Sequence, residues 1–314
     1  MDIQRLEIAR LFHRAGFGPK PGEFAEALRA GVASTRSKIL SPPTTVSFVT
    51  PPVLTDLGPR PEPNSPDVVG FSQQMRYQNQ LLFLWWLDEM VTSPHTLQEK
   101  MTWFWHGHWA TSIGKVNYAL PMLNQNVTMR KYALGNFTEF AKAMFSDGAL
   151  QVWLDGQENT VKAPNENFSR EMMELFVLGV NRYTETDVKE LARAFTGYQV
   201  SRSKGIVTHN PRRRDTSSVT ILGKSGVMNP EEVITHLVSQ SNCALFIAER
   251  IWYRFVSSQE PLPQNHPMIK AFTDRDIYAL MKSLIESSAL SQQQYSMVKS
   301  PVEWFIGLCR ALAI

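Results

Sequence analysis

Apolar positions recur along most of the chain at spacings of three and four residues, as on one face of an α-helix. This pattern predicts a mainly α fold with little or no β structure. Thr184, Asn229 and Ser300 each precede a helical stretch and have an acidic residue three positions later, as in a capping box. The predicted helices cover residues 3–14, 21–30, 72–91, 94–106, 117–133, 137–146, 165–178, 185–196, 230–239, 243–256, 275–287 and 301–312.

Two other local signals complete the predicted elements. Ser93 followed by Pro94 predicts that a helix begins at Pro94, because proline suits the first helical turn. Strand signals are weak and limited to residues 46–49 and 219–222.

The proline content predicts how the chain is organised. Residues 41–66 contain eight prolines in 26 positions, so this stretch cannot be helical and is expected to form an extended loop. We predict one multi-helix domain over residues 1–314. Its predicted parts are an N-terminal helical segment (1–40), a Pro-rich loop (41–70), and a main body (71–314) with a basic polar loop (200–229).

Composition excludes several classes of protein. The 32 basic and 29 acidic residues of the 314 give a net charge of +3, which does not support nucleic-acid binding. Two cysteines are too few for a disulfide framework, and no apolar run is long enough to span a membrane. The first ten residues contain no secretory signal, so we expect a cytoplasmic protein as written, and a periplasmic or envelope protein if a leader was removed.

The first chemical feature is a pair of histidines, His106 and His108, separated by Gly107. On a continuous helix, residues two apart point in nearly opposite directions and cannot share a ligand. If Gly107 breaks the helix, the two side chains fall on one side and can chelate a metal ion. The alternative is that one or both are structural histidines hydrogen-bonded among the surrounding aromatic residues.

The second feature is a predicted helix that carries carboxylates. On a helical wheel Glu171 falls inside an apolar arc that includes Leu175, and Arg170 and Glu174 lie at the edge of that arc. A carboxylate in such a position is costly unless it is paired or binds a cation. Glu171 is therefore either a metal ligand or a member of a buried ion pair with an arginine of another helix.

These features combine into one hypothesis, a metal-dependent hydrolase. His106, His108 and Glu171 would hold a divalent ion such as Zn, Fe or Mn, and His209 of the basic loop is a possible fourth ligand. The ion would lower the pKa of a bound water. Glu174 would accept the proton of that water, and Arg170 would stabilise the developing negative charge.

The alternative hypothesis is a non-catalytic binding or assembly protein of the bacterial envelope. In that case the Pro-rich loop and the basic loop would be its contact surfaces. The basic loop is either a contact for phosphate, an acidic polymer or an anionic surface, or simply a solvated loop. Glu171 would then have a purely structural role.

Several motifs of the chain resemble those of the family known as domain of unknown function 1800, which occurs in bacteria. The resemblance extends over nearly the whole sequence. The motifs that carry it are an opening motif (11–18), a tryptophan–histidine motif (105–112), a central block (133–137, 163–179, 183–188 and 194–197) and a late motif (299–303).

The resemblance implies a family and a mainly helical fold, but no established activity. It also implies a protein that is often exported and often encoded beside a partner with a sulfatase-like fold. We therefore expect a partner of that kind, with no nucleic acid and no membrane span.

Overall fold

The computed structural model describes residues 3–41 and 50–314. Within these ranges it contains 16 α-helices and two short β-hairpins, which confirms the predicted mainly α class. The predicted strand at 46–49 lies outside the described residues. No helix in the described ranges is long and apolar enough to cross a membrane.

The N-terminal part contains one helix that the sequence pattern did not predict. Gly31, with a φ of 86°, ends the second helix, and a third helix begins at the next residue. Residues 50–66 contain no helix or strand, and the following helix begins inside the predicted loop. The helices are α1 (Ile3–Arg14), α2 (Glu23–Ala30), α3 (Val32–Leu40), α4 (Asp67–Thr92) and α5 (Thr96–His108).

The start of α5 corrects one prediction. Ser93 follows the last residue of α4, and its hydroxyl oxygen accepts a hydrogen bond from the backbone N–H of His95 at 3.2 Å. The helix therefore begins at Thr96 and not at Pro94. Its other end also differs from the prediction, because it continues through Gly107 to His108.

The central helices contribute many of the buried residues of the largest apolar core. Two of them, α6 and α9, were not predicted because each is only one or two turns long. The set is α6 (Ile113–Val116), α7 (Ala119–Tyr132), α8 (Phe137–Phe145), α9 (Gly148–Trp153), α10 (Glu166–Glu171), a π-helical stretch (Met172–Val177) and α11 (Glu185–Ala194).

The predicted basic loop at 200–229 contains most of the β structure in the described chain. Strands β1 (Tyr198–Ser201) and β2 (Ile206–His209) form one antiparallel hairpin, and β3 (Val219–Ile221) and β4 (Lys224–Gly226) form another. The predicted strand at 219–222 is confirmed by β3. Short 3-10 turns lie at Gly156–Glu158, Pro211–Arg213 and Ala289–Ser291.

Two of the C-terminal helices begin where their capping residues predict, and the short helix at Pro267–Ala271 was not predicted. Ser300 and Glu303 exchange two hydrogen bonds, of 2.8 and 3.3 Å, and this capping box fixes the start of the last helix. The predicted boxes at Asn229 and Thr184 are confirmed as well. The helices are α12 (Pro230–Ser239), α13 (Ser241–Phe255), α14 (Pro267–Ala271), α15 (Ile277–Glu286) and α16 (Pro301–Leu312).

The N-terminal and C-terminal segments of the chain pack against one another. Arg310 of α16 is 2% exposed, and its guanidinium donates hydrogen bonds of 2.7 Å to the carbonyls of Gly18 and Val91. The largest apolar core extends from Leu11 in α1 to Tyr295, just before α16. This packing brings the opening motif and the late motif to the same region of the molecule.

Candidate functional site

The two histidines of the tryptophan–histidine motif point into different surroundings. The predicted break at Gly107 is wrong, because α5 remains helical to His108, and residues two apart on a helix diverge by about 200°. The structure therefore does not bring His106 and His108 together.

His108 is a buried histidine inside an aromatic cluster. Its side chain is 4% exposed, and Nε2 lies 2.9 Å from the carbonyl oxygen of Phe176. Nδ1 has no hydrogen-bond partner among the described residues. Burial lowers the pKa of His108 to about 3, so the ring is neutral at pH 7. The rings that contact it are those of Phe104, Trp105, Trp109, Phe137, Phe176 and Phe246.

His106 faces the opposite side of α5. Its ring meets the ring of Trp86 edge-on, with centroids 4.9 Å apart, and stacks on Trp103 at 6.3 Å. Burial lowers the pKa of His106 to about 4. One edge of His106 lines a cavity, which is described below.

The helix that carries Glu171 and Glu174 changes from α-helical to π-helical geometry at Met172, so its side chains do not follow the predicted helical wheel. A π-helical turn contains an additional residue, so the side chains that follow rotate away from an α-helical projection. Leu175, which the wheel placed in the apolar arc, is 47% exposed. Glu171 is half-buried, and burial followed by repulsion from Glu174 raises its pKa.

The predicted catalytic residues contact surface partners. Glu174 accepts a hydrogen bond from the hydroxyl of Tyr183. Arg170 forms ion pairs with Glu185 at 2.6 Å and with Glu166 at 3.3 Å. These ion pairs hold Arg170 at the protein surface, with Glu166 and Glu185 as its partners.

His209, the possible fourth ligand, lies in the first β-hairpin. It is exposed on β2, and its ring lies 5.4 Å from that of Tyr198 on the paired strand. Within residues 3–41 and 50–314, no three His, Cys, Asp or Glu side chains form a group able to hold a metal ion. The structure thus does not assemble the predicted set, and a divalent ion stays a prediction of the sequence.

The buried ion pair that was considered for Glu171 occurs elsewhere. Among the described residues Glu171 forms no ion pair, whereas Glu99 of α5 pairs with Arg130 of α7 at the protein interior. Glu99 is 1% exposed and Arg130 is 2% exposed. Glu99 also accepts a 3.0 Å hydrogen bond from the indole of Trp86, so this ion pair supports the wall behind His106.

A different group of charged residues surrounds a cleft between α1, α5, α13 and the start of α16. The cleft consists of two adjoining cavities of about 320 and 270 Å³. Their shared wall is formed by Lys100, Arg254, Met297, Val298, Lys299 and Glu303.

Lys100 and Glu303 form an ion pair in the shared wall. Lys100 is 3% exposed, and its ammonium also lies 5.0 Å from the ring centroid of Phe17. Burial opposes ionisation of Glu303, but Lys100 and the backbone of Ser300 keep the pKa of Glu303 below its usual value. The carboxylate therefore serves both the ion pair and the capping box.

His13 lies beside this pair, at the end of α1. Its Nδ1 accepts a 3.0 Å hydrogen bond from Nζ of Lys299, and burial followed by the charges of Lys299 and Lys100 lowers the pKa of His13 to about 4. Gly18 has a φ of 116°, and a Cβ there would lie only 2.9 Å from the imidazole. Glycine at this position allows the chain to turn back against His13.

Arginines of α1 hold the segment that precedes α16. Arg14 donates hydrogen bonds to the carbonyls of Val256 and Tyr295, and Arg10 donates to those of Leu290 and Gln292. These contacts fix the chain where it enters the cleft wall at Met297–Lys299. The arginines thus have a positioning role and also add positive charge to the cleft.

One side of the larger cavity is apolar. Its wall includes the aromatic rings of Trp103, Phe104, Tyr253 and Phe255. The cleft therefore combines a cationic region with an apolar one, and Glu303 is the one carboxylate among its lining residues.

Neither His13 nor Lys100 is among the candidate residues of the sequence analysis, so the cleft was not predicted. A signal for Lys100 was present, since it lies three residues after Leu97 and four before Phe104, on the apolar face of α5. The same reasoning about a charge on an apolar face had been applied to Glu171. The convergence of residues 13, 100 and 299 depends on tertiary packing and has no local signature.

Comparison with known proteins gives a family and no activity. No curated protein and no solved structure matches the chain. A family model described as protein of unknown function (DUF1800) matches residues 10–314, and three cleft-lining segments coincide with the opening, tryptophan–histidine and late motifs. The chain belongs to the DUF1800 family of proteins of unknown function.

Proposed function

We propose that the protein binds a small organic anion, as a ligand or substrate, in the cleft between α1, α5, α13 and α16. The observation that carries this proposal is the excess of positive charge. Arg10, Arg14, Lys100, Arg254 and Lys299 line the cleft, and Glu303 is the one acidic side chain there.

Two of the cations in the cleft have no carboxylate partner among the described residues. Lys100 has Glu303 as its partner, whereas Lys299 and Arg254 form no ion pair among the described residues. Like charges that share one cleft repel each other and attract an anion. A carboxylate, phosphate or sulfate group fits this chemistry, because each accepts hydrogen bonds from lysine and arginine.

The shape of the cleft supports a small molecule. A cavity of about 320 Å³ is near the lower end of the range for small-molecule sites, about 300–1,000 Å³. The aromatic rings of Trp103 and Phe255 provide a surface for the apolar part of such a ligand. The proposed ligand is therefore an oxyanion attached to a short apolar or aromatic group.

Isothermal titration tests the proposal with phenyl phosphate, benzoate and benzenesulfonate as probes and benzyl alcohol as the neutral control. We expect at least one anion to bind and benzyl alcohol to bind far more weakly. Lys299→Gln is expected to weaken anion binding about tenfold, or about 1.4 kcal/mol.

The matched control is Lys162→Gln, which removes an exposed lysine far in sequence from the cleft-lining residues. We expect this variant to bind the anion like the wild-type protein. The proposal is wrong if none of the three anions binds, or if the two lysine variants lose affinity equally.

A further inference from the structure

We propose that Lys100 is a reactive amine that forms an imine with the carbonyl group of an oxo acid bound in the cleft. This inference rests on the proposed function for the binding of the carboxylate. Beyond anion binding, it proposes a reaction, imine formation, and a substrate class, small 2-oxo carboxylates.

The position of Lys100 carries the inference. Its side chain lines both cavities and is 3% exposed, so little bulk water reaches its amine. On the protein side the ring centroid of Phe17 lies 5.0 Å from the ammonium, and Phe104 lines the larger cavity. A lysine enclosed in this way is a strong nucleophile once it loses its proton, because little solvent shields the amine.

Two features assist the loss of that proton. Burial lowers the pKa of Lys100, Glu303 opposes this effect, and the charges of Lys299 and Arg254 reinforce it. Glu303 is in hydrogen-bond contact with Nζ, so it is placed to accept the proton directly. A desolvated lysine beside other cations has the environment that amine nucleophiles require.

Lys100 and Glu303 can carry out every proton transfer that imine formation requires. Glu303 takes a proton from the Lys100 ammonium, and the neutral amine attacks the carbonyl carbon to form a carbinolamine. A new N–C bond replaces the carbonyl C–O π bond, and a proton moves from nitrogen to oxygen. Glu303 then returns its proton to the hydroxyl, the C–O bond breaks, water leaves, and a positively charged iminium remains beside the carboxylate.

The surrounding cations define the substrate class. Lys299 and Arg254 share the cavity wall with Lys100, and neither forms an ion pair among the described residues. A carboxylate held by these two groups would place a carbonyl on the adjacent carbon toward Lys100. A 2-oxo acid has both the carboxylate and the adjacent carbonyl, whereas a simple ketone has only the carbonyl.

Reductive trapping tests this inference in the full-length protein. The protein is incubated with pyruvate and sodium cyanoborohydride, and the modified lysines are located by peptide mass spectrometry. We expect carboxyethylation of Lys100 at pyruvate concentrations at which exposed Lys162 is at least tenfold less modified. Acetone, which lacks the carboxylate, is expected to label Lys100 far less than pyruvate does.

Two variants serve as controls, with folding verified by circular dichroism. Lys100→Arg keeps the positive charge beside Glu303 but lacks a nucleophilic amine, and we expect it to lose the label at this position. Glu303→Gln keeps Lys100 but removes the proton acceptor, and we expect slower labelling. Lys100 left unmodified in the wild-type protein while exposed lysines react would overturn the inference.

The outcomes also separate this inference from the anion-binding proposal. If the aromatic anions bind but Lys100 is not trapped, anion binding stands and the imine is wrong. If Lys100 is trapped equally by pyruvate and acetone, and no anion binds, the reactive amine stands and the oxo-acid specificity is wrong.

Discussion

Lys299 donates a hydrogen bond to His13 across 286 positions of sequence, at 3.0 Å. This contact joins the end of α1 to the residue before the cap of α16. Nδ1 accepts this hydrogen bond in the neutral form of the imidazole, which burial and then the charge of Lys299 favour. A histidine and a lysine from opposite ends of the sequence thus form one edge of the cleft.

The buried histidines predict a loss of stability in acid. His106 and His108 have folded-state pKa values of about 4 and about 3, below the ordinary 6.5, so the unfolded chain binds more protons between pH 6.5 and 4. The stability that comes from keeping these two histidines neutral is fully present above pH 6.5. It is lost as the pH falls from 6.5 toward their folded-state pKa values. Each is expected to contribute a slope of up to about 1.4 kcal/mol per pH unit.

Urea unfolding between pH 4.5 and 7.5 measures this dependence. His106→Phe keeps a ring between Trp86 and Trp103 but cannot be protonated, so its stability is expected to fall less steeply than that of the wild type. Identical slopes for the two proteins would show that His106 does not take up this proton.

His108→Ala is expected to destabilise the protein by about 2–4 kcal/mol. It leaves a cavity among aromatic rings and removes the hydrogen-bond partner of the Phe176 carbonyl. His209→Ala is the control, because His209 is exposed and its removal should change stability by less than about 0.5 kcal/mol. Urea unfolding at pH 7 measures the stabilities of the two variants. Equal stabilities of His108→Ala and His209→Ala would contradict a packing role for His108.

Metal analysis tests the metal-ligand prediction. A shared ion would require α5 to open at Gly107, since the helix directs His106 and His108 apart. We therefore expect Zn²⁺ and Mn²⁺ titrations to show no binding that His106→Ala abolishes. An ion of about one per chain that is lost in both His106→Ala and Glu171→Gln would reverse this expectation and restore the metal-dependent hydrolase.

Glu303→Gln is expected to destabilise the protein by about 3 kcal/mol, because it leaves the ammonium of Lys100 buried without a counter-charge. Glutamine can still complete the capping box with Ser300, so helix capping is largely retained. Adding Lys100→Met to this variant removes the unpaired charge and is expected to restore most of the stability. A double variant as unstable as the sum of both single variants would contradict this coupling.

Glu171→Gln and Glu99→Gln are expected to behave differently. Glu171 forms no ion pair among the described residues and is repelled by Glu174, so its neutral replacement should change stability by about 0.5 kcal/mol or less. Glu99→Gln weakens the buried pair with Arg130 and should cost about 3–5 kcal/mol. Chemical unfolding measures the stability of both variants. A large loss of stability in Glu171→Gln would favour the structural role first considered for Glu171.

Local signals predicted the fold well. Ser300, Asn229 and Thr184 mark their helix starts because a cap depends on residues only three positions apart. Short helices such as α9 were missed because six residues are too few for a periodic pattern. Ser93 misled the prediction because its hydroxyl caps a turn before α5 and not the helix itself.

The site was harder to predict, for two physical reasons. Whether Gly107 breaks α5 depends on packing, since glycine is tolerated within a helix at a cost of about 1 kcal/mol. The π-helical turn at Met172 rotates Leu175 into solvent, and no periodicity rule anticipates that rotation. The localisation, the sulfatase-like partner and the surface roles of the Pro-rich and basic loops stay predictions.

The ion pair between Lys100 and Glu303 has a consequence for synthesis of the chain. The lysine leaves the ribosome 203 residues ahead of its carboxylate partner. At about 5–20 residues per second, a nascent chain spends about 10–40 seconds with this ammonium lacking its native counter-ion. The cleft therefore forms late in biogenesis, after α16 has docked, and incomplete translation products lack it.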